Sequence, residues 1–485
     1  MQSNIRTLAS DTLVYGVSTM AGRFLTFLLT PLYTNFLTAS QIGDVTAIYA
    51  VIAFVNIVYS LGLEPAFMRF WERDDEHRSK EVFQTAFVGV AFTAVVVTVA
   101  TIVFAAPIAA SPFLMLETDG ARLVAVASLI PFFDSLALLS FSRLRMQRRP
   151  KMFAYLRLLT IVVNVALNVV FVVVLHWQIM GVVLAGVASS LISFVVFIPS
   201  IRFERMVGGF RLLAQMLKFG LPTIPASFSS IVVLMADRTV MLMLTNSATL
   251  GLYQTNFRLA IPMLMFVSIF ETAWKPFYLN NRNEADIKPL MVRVLTMFTI
   301  VSGVIFLTTS LFMPYVVRMP FIGGNFINPT YWVGLGIVPI IMLAYYFNGV
   351  FVNLSAGLHI TMRTGWFPVA MGVAAIANVV AMLLLVPSMG INGAAWAKVA
   401  AYAASMVLLF VFVRRVYPVD YDGKRIALVF IITGGIYALC MQVPVLTTEG
   451  LVVRIAAIPV FVAVLFATGI LQRSVFTSLI SMVRR

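Results

Sequence analysis

Val88–Phe104 is a continuous apolar run without a charged residue, and runs of this kind recur along the whole chain. A span of bilayer core takes about 20 apolar residues in a helix. In hydrocarbon every backbone polar group must be satisfied internally, which leaves helices or closed barrels. An unbroken apolar run does not alternate as a barrel strand must, so the runs are read as helices. Composition agrees: 61% of the 485 residues are hydrophobic and 11% are charged, against roughly 25% charged in a soluble domain. That surplus of apolar side chain has to face lipid.

Fourteen spans are predicted, near 9–30, 43–63, 82–109, 122–142, 153–175, 179–200, 218–244, 250–274, 292–317, 331–356, 364–387, 391–413, 426–446 and 451–471. The net charge of +15 would suggest nucleic acid in a soluble protein. Here it reads as topology, because Lys and Arg collect in cytoplasmic loops. With the N-terminus inside, 27 of the 34 Lys and Arg residues fall in inner loops and tails. Three fall outside (Arg122, Arg318 and Arg454), and four (Arg23, Arg238, Arg258 and Lys398) lie within spans. Both termini are therefore expected in the cytoplasm. Met1–Ser10 is short and polar, so the first helix is expected to be its own insertion signal. The lone Cys440 leaves no intramolecular disulfide.

The first twelve spans repeat. Tyr15-Gly16 is answered by Phe219-Gly220, and Leu37-Thr38 with Ser40 and Gly43 by Leu244-Thr245 with Ser247 and Gly251. Ile179, Gly181, Ala185, Val187 and Ala188 recur as Ile391, Gly393, Ala397, Val399 and Ala400. Six spans separate the copies, so both have the same orientation. Parallel repeats are related by an axis along the membrane normal, with the site between them. The expected fold is thus all-α and polytopic: a six-helix lobe over 1–205, a second over 206–416, and two further helices over 417–485.

Charges inside a bilayer cost at least about 2.5–3.5 kcal/mol and need a reason. Thr12, Gly16, Thr19, Arg23, Thr26 and Thr30 share one helical face of span 1. That face is expected to meet water or substrate, unless Arg23 merely locks packing by pairing with a carboxylate. Asp237-Arg238 follows Ser227 and Ser230 in span 7, where Pro222 and Pro225 are expected to bend the inner end. Arg258 lies roughly 12 Å and Lys398 roughly 10 Å below the outer ends of their spans. Converging, these cations would form a chamber for a polyanion. Phosphate fits best, since arginine forks match its oxygens.

Among the acids Asp44, Glu64, Asp134, Asp237 and Glu271, Asp134 is the deepest beside Pro131. Asp134 and Asp237 are the candidates for coupling Na+ or H+, against a plain ion pair with one of the cations. Asn164, Asn168 and Asn348 are candidate cavity-lining groups, although interhelical hydrogen bonding explains them equally well. The basic run Arg143–Lys151 reads as topology and contact with anionic membrane lipid.

The chain has no phosphate-binding glycine loop and no metal-spaced His/Cys cluster, so neither metal nor cofactor is expected. Its outer loops are too short for the acid/base residues of a membrane enzyme of glycan assembly.

The segments Leu13–Arg23 (LVYGVSTMAGR), Leu29–Tyr33 (LTPLY), Leu61–Phe70 (LGLEPAFMRF) and Leu385–Lys398 (LVPSMGINGAAWAK) resemble bacterial polysaccharide and oligosaccharide flippases. These belong to the multidrug/oligosaccharidyl-lipid/polysaccharide exporter superfamily. The resemblance implies a V-shaped pair of six-helix lobes, alternating access and a central cationic cavity. It implies a polyprenyl-diphosphate-linked oligosaccharide carried from the cytoplasmic to the periplasmic leaflet of the bacterial inner membrane, supplying glycan polymerase or ligase machinery. Arg23 matches the basic position of the first helix in that family. Spans 13 and 14 resemble those that form a lipid-tail groove in the lipid II flippase branch. The alternative within the superfamily is extrusion of drugs or other organic cations.

Overall fold

The computed structural model describes residues 20, 22, 24–25, 27–72, 75–116, 119–201, 209–281, 287–363 and 365–471. Among these, eleven helices are long and apolar enough to span a membrane, or twelve when one bent pair is taken as a single span. In the first lobe α1 covers helical residues 27–36. It is followed by α2 (Ala39–Ser60), α3 (Leu63–Phe70), α4 (Glu76–Val103), α5 (Ala105–Ala109), α6 (Gly120–Ala127), α7 (Leu129–Met146), α8 (Pro150–Asn168) and α9 (Gln178–Val195). The second lobe holds α10 (Gly209–Gly220), α11 (Ile224–Leu244), α12 (Ser247–Leu259), α13 (Ile261–Asn280), α14 (Ile287–Val316), α15 (Ile337–Ile360), α16 (Trp366–Met389) and α17 (Ile391–Val416). Last come α18 (Gly423–Met441) and α19 (Thr448–Ala467). Each predicted span from the second onward meets a helix. Most of the first lies outside the described residues.

Several spans are broken where the sequence reads as continuous. The predicted span 250–274 is α12 and α13, bent by 51°. Pro262 lies in the first turn of α13. It lacks an N–H to donate to α12 and its ring crowds the preceding turn. Pro222 and Pro225 separate rather than bend, because a 3-10 turn at Leu221–Thr223 divides α10 from α11. The end of α8 widens into a π-helix over Val169–Val174, a form often found at functional sites.

The repeat has physical content. Gly181 and Gly393 occupy equivalent tight returns. A Cβ at Gly181 would lie 3.1 Å from the backbone of Phe171, and one at Gly393 would run into the carbonyl of Leu385. Gly43 and Gly251, also equivalent, lie where α2 crosses α12. There a Cβ on Gly43 would run into the carbonyl oxygen of Ser247, and one on Gly251 into that of Ala39. The lobes therefore touch backbone to backbone on this face. An apolar core shared by both lobes lies beneath, built from Leu32, Ile48, Val182, Leu250, Met342 and Ala394.

The opposite face is also closed. Gly62, in the left-handed region at φ 68°, lies against Gly220, with no room for a Cβ on either. Although α10 was counted with the second lobe, its Leu212 and Met216 are buried with Phe67, Phe83 and Leu139 of the first. The expected boundary at 205/206 falls outside the described residues. Helices α18 and α19 pack onto α14 through Leu307, Leu311, Val429 and Phe461. The wholly buried Arg454 tethers their connecting turn by donating to the carbonyls of Gly450 (2.9 Å) and Val443 (3.0 Å).

Candidate substrate site at the lobe interface

Arg258 stands in the last turn of α12, just before the break at Pro262. Helix carbonyls left unpaired there carry partial negative charge, which favours a cation. The side chain is half-buried and lies within electrostatic range of Tyr33 in α1, Tyr49 in α2 and Arg238 in α11. Two guanidinium groups of the second lobe are thus neighbours, facing tyrosines of the first. No ion pair to either guanidinium occurs among the described residues, and the Nε of Arg238 is buried without a hydrogen-bond partner. Like charges kept close without a carboxylate partner raise the local positive potential.

Lys398 does not share that situation. Its Nζ lies 3.3 Å from Asp237 Oδ2, with the two residues only 3% and 1% exposed. The Tyr253 hydroxyl donates to the same oxygen at 3.3 Å. The pair joins α11 to α17 behind the arginines, and Arg238 lies within electrostatic range of Tyr253. Lys398 is therefore placed as the ion-pair partner of a buried acid, and Asp237 is already met by an ammonium.

On the first lobe a polar chain backs Tyr33. The Tyr33 hydroxyl donates to Asn168 Oδ1 at 2.7 Å. Asn168 Nδ2 donates to the carbonyl of Asn164 at 2.9 Å, and Asn164 Nδ2 to Ser189 Oγ at 3.0 Å. Both asparagines thus make the interhelical bonds of the plainer reading while orienting a tyrosine toward the lobe interface. Asp134 is exposed although it lies within α7, and its neighbours are Tyr49 of α2, Arg157 of α8 and Ser190 of α9.

The remaining candidates scatter. Arg23, Thr19 and Thr26 lie outside the described residues. Asn348 is half-buried in α15. Glu64 is bound by Ser142 and Arg145 near the basic turn after α7. No cluster of three or more metal-ligating side chains occurs among the described residues. Sequence reasoning passed over Tyr33, Tyr49 and Tyr253. Their hydroxyls carry no charge to mark them, and only their helical phase against the polar stripe could have singled them out.

A separate cavity of about 430 Å³ opens between α14, α15, α17 and α18. Its walls are mostly apolar, with Phe306, Tyr346, Trp396, Phe430 and Tyr437 the largest side chains and Gly336 and Gly434 leaving space.

Two repeated six-helix lobes meeting over a polar interface, with a terminal helix pair on the second, define a membrane protein with the fold of lipid flippases and multidrug exporters. The chain belongs to the polysaccharide biosynthesis protein family, whose sequence model matches residues 8–279. Among solved structures, the fold resembles the lipid II flippase MurJ in an inward closed conformation. The TM-score is 0.77 at 14% identity, covering 95% of this chain and 100% of that one. It also resembles a multidrug resistance MATE family transporter in its inward-facing conformation, with TM-score 0.64 at 13% identity, covering 85% of this chain and 99% of that one. No curated protein sequence matches the chain.

Proposed function

We propose that the protein carries a polyprenyl-diphosphate-linked oligosaccharide across the bacterial inner membrane, from the cytoplasmic to the periplasmic leaflet. The observation that supports this most is the Arg258–Arg238 neighbourhood, two arginines without a carboxylate partner among the described residues, at the junction of the lobes in a polysaccharide biosynthesis family member. A diphosphate would supply the missing negative charge, while Tyr49 offers a hydroxyl donor from the other lobe. The face bearing Gly43 and Gly251 is then the outer one, and the basic face with Gly62 and Gly220 the inner one. Rocking of the lobes would open them in turn. Asp134, open to its surroundings and beside Arg157, is the proposed place for a coupling proton or cation.

Each charge-assisted hydrogen bond to a phosphate contributes about 1.5–3 kcal/mol. Replacing Arg258 by Gln is therefore expected to weaken binding of a short polyprenyl diphosphate roughly 10- to 100-fold. Arg258→Lys should recover only part, because the fork is lost. Calorimetry in detergent reads this directly, and equal affinity in wild type and Arg258→Gln would remove the site.

The cavity beside α18 suits the first isoprene units of the tail. A polyprenyl diphosphate with a photoreactive group near the diphosphate end is expected to label peptides from α15 and α18. Labelling confined to α4 and α8 instead would place the tail on the first lobe.

A further inference from the structure

Among the described residues, the connection between α14 and α15 carries the one β-hairpin. After Val316 it forms a two-stranded antiparallel hairpin, β1 (Pro320–Phe321) with β2 (Gly324–Asn325), paired Pro320 to Asn325 and Phe321 to Gly324. Gly323, at φ 87°, makes a turn that a side chain would strain. A 3-10 turn over Pro329–Gly334 then returns the chain to α15. The base of the loop is anchored in its own lobe. Ile327 N–H donates to the Val317 carbonyl at 3.0 Å, and Asn256 Nδ2 of α12 to the Tyr331 carbonyl at 3.0 Å.

Its tip lies on the other lobe. Asn35, near the end of α1, donates from Nδ2 to the carbonyl of Asn325 at 2.7 Å. The Phe27 and Phe326 rings are 6.4 Å apart, and the Tyr331 hydroxyl donates to the Leu37 carbonyl at 3.3 Å. Gly323 lies so close that a Cβ there would be 2.9 Å from the Phe36 ring and 3.2 Å from Asn35 Cβ. The contact is well fitted but not saturated, since Asn35 Oδ1 is buried without a hydrogen-bond partner. A clasp of two side-chain-to-backbone hydrogen bonds and one ring–ring contact, with Gly323 close against the Phe36 ring, holds the lobes and can still be parted.

We propose that the 319–326 hairpin is a latch on the outer face: it clasps the end of α1 when that face is closed and must let go before the lobes part there. The latch adds side-chain contacts to the backbone contact at the Gly43–Gly251 crossing. It rests on the alternating-access reading above.

The test places cysteines at Asn35 and Asn325 in a Cys440→Ala background and joins them with a short, reducible bis-thiosulfonate. Distance labels on keto amino acids at Phe113 and Val333, both exposed on this face, follow its opening in lipid nanodiscs. Short and long distances are expected in the unlinked protein, the short one alone after linking, and both again after reduction. Asn35→Ala, with the hydrogen bond removed, should raise the long-distance population roughly fivefold. A long-distance population unchanged by the link, or absent from both unlinked protein and Asn35→Ala, would overturn the latch. Leaflet exchange of a polyprenyl-diphosphate sugar by the unlinked protein is recorded in parallel, so failure of the flippase reading shows separately from failure of the latch.

Discussion

Asp237→Asn is expected to lower unfolding free energy by about 3–5 kcal/mol, the range for removing one partner of a buried ion pair. The loss comes from the ammonium left behind. Lys398 is 3% exposed, and in place of a carboxylate 3.3 Å away it would meet a neutral amide. Adding Lys398→Met removes that charge, and the double variant should return close to wild-type stability, because an apolar replacement of a whole pair is often neutral or better. Detergent-induced unfolding followed by tryptophan fluorescence measures all three. An Asp237→Asn variant within about 0.5 kcal/mol of wild type, as for an ordinary surface change, would mean the pair does not hold α11 to α17. The double variant also separates roles. If it still exchanges lipid, Lys398 serves the scaffold, and the diphosphate is left to the arginines.

The second large effect belongs to the lobe crossing. Gly43→Val or Gly251→Val places a side chain where the partner helix presents only backbone, the carbonyls of Ser247 and Ala39. A rotamer change cannot relieve backbone contact, so the cost lies at or above the top of the roughly 1–3 kcal/mol typical of overpacking. It falls only on the state in which this face is closed. A balanced equilibrium should then shift about 100-fold toward the state open there, and exchange should fall by a similar factor while the folded protein stays in the membrane. Distances across the face, between labels at Phe113 and Val333, should lengthen. Unchanged distances with normal exchange would show that α2 and α12 need not touch during the cycle.

Much of this architecture is legible in the sequence because the bilayer imposes it. Apolar runs fix the helices, and the glycine matches at 43/251 and 181/393 fix the repeat. Those glycines occupy equivalent close approaches, which is why they recur when little else does. The breaks were less legible. Pro262 interrupts a run that stays apolar on both sides, so hydropathy passes smoothly through a 51° bend. A plain ion pair with one of the cations was among the sequence readings, but its partner was not legible: Asp237 adjoins Arg238 in sequence, yet it meets Lys398, 161 residues away. Sequence depth placed Arg258 and Lys398 together in one cationic group. Only the packing of α11 against α17 divides them into an unneutralised arginine and a neutralised lysine. The docking of α10 on the first lobe was hidden for a similar reason, since an amphipathic helix announces a buried face but not the partner that buries it.

The central claim is transport of a diphosphate-linked lipid, and leaflet exchange tests it most directly. Purified protein is placed in liposomes with a fluorescent polyprenyl-diphosphate sugar, and exposure of the sugar to an impermeant reagent is followed with and without imposed Na+ and H+ gradients. The account predicts protein-dependent exchange that Arg258→Gln suppresses roughly 10- to 100-fold and that one of the gradients accelerates. No exchange under any gradient, with movement of organic cations by the same vesicles, would contradict it and assign the protein to drug extrusion.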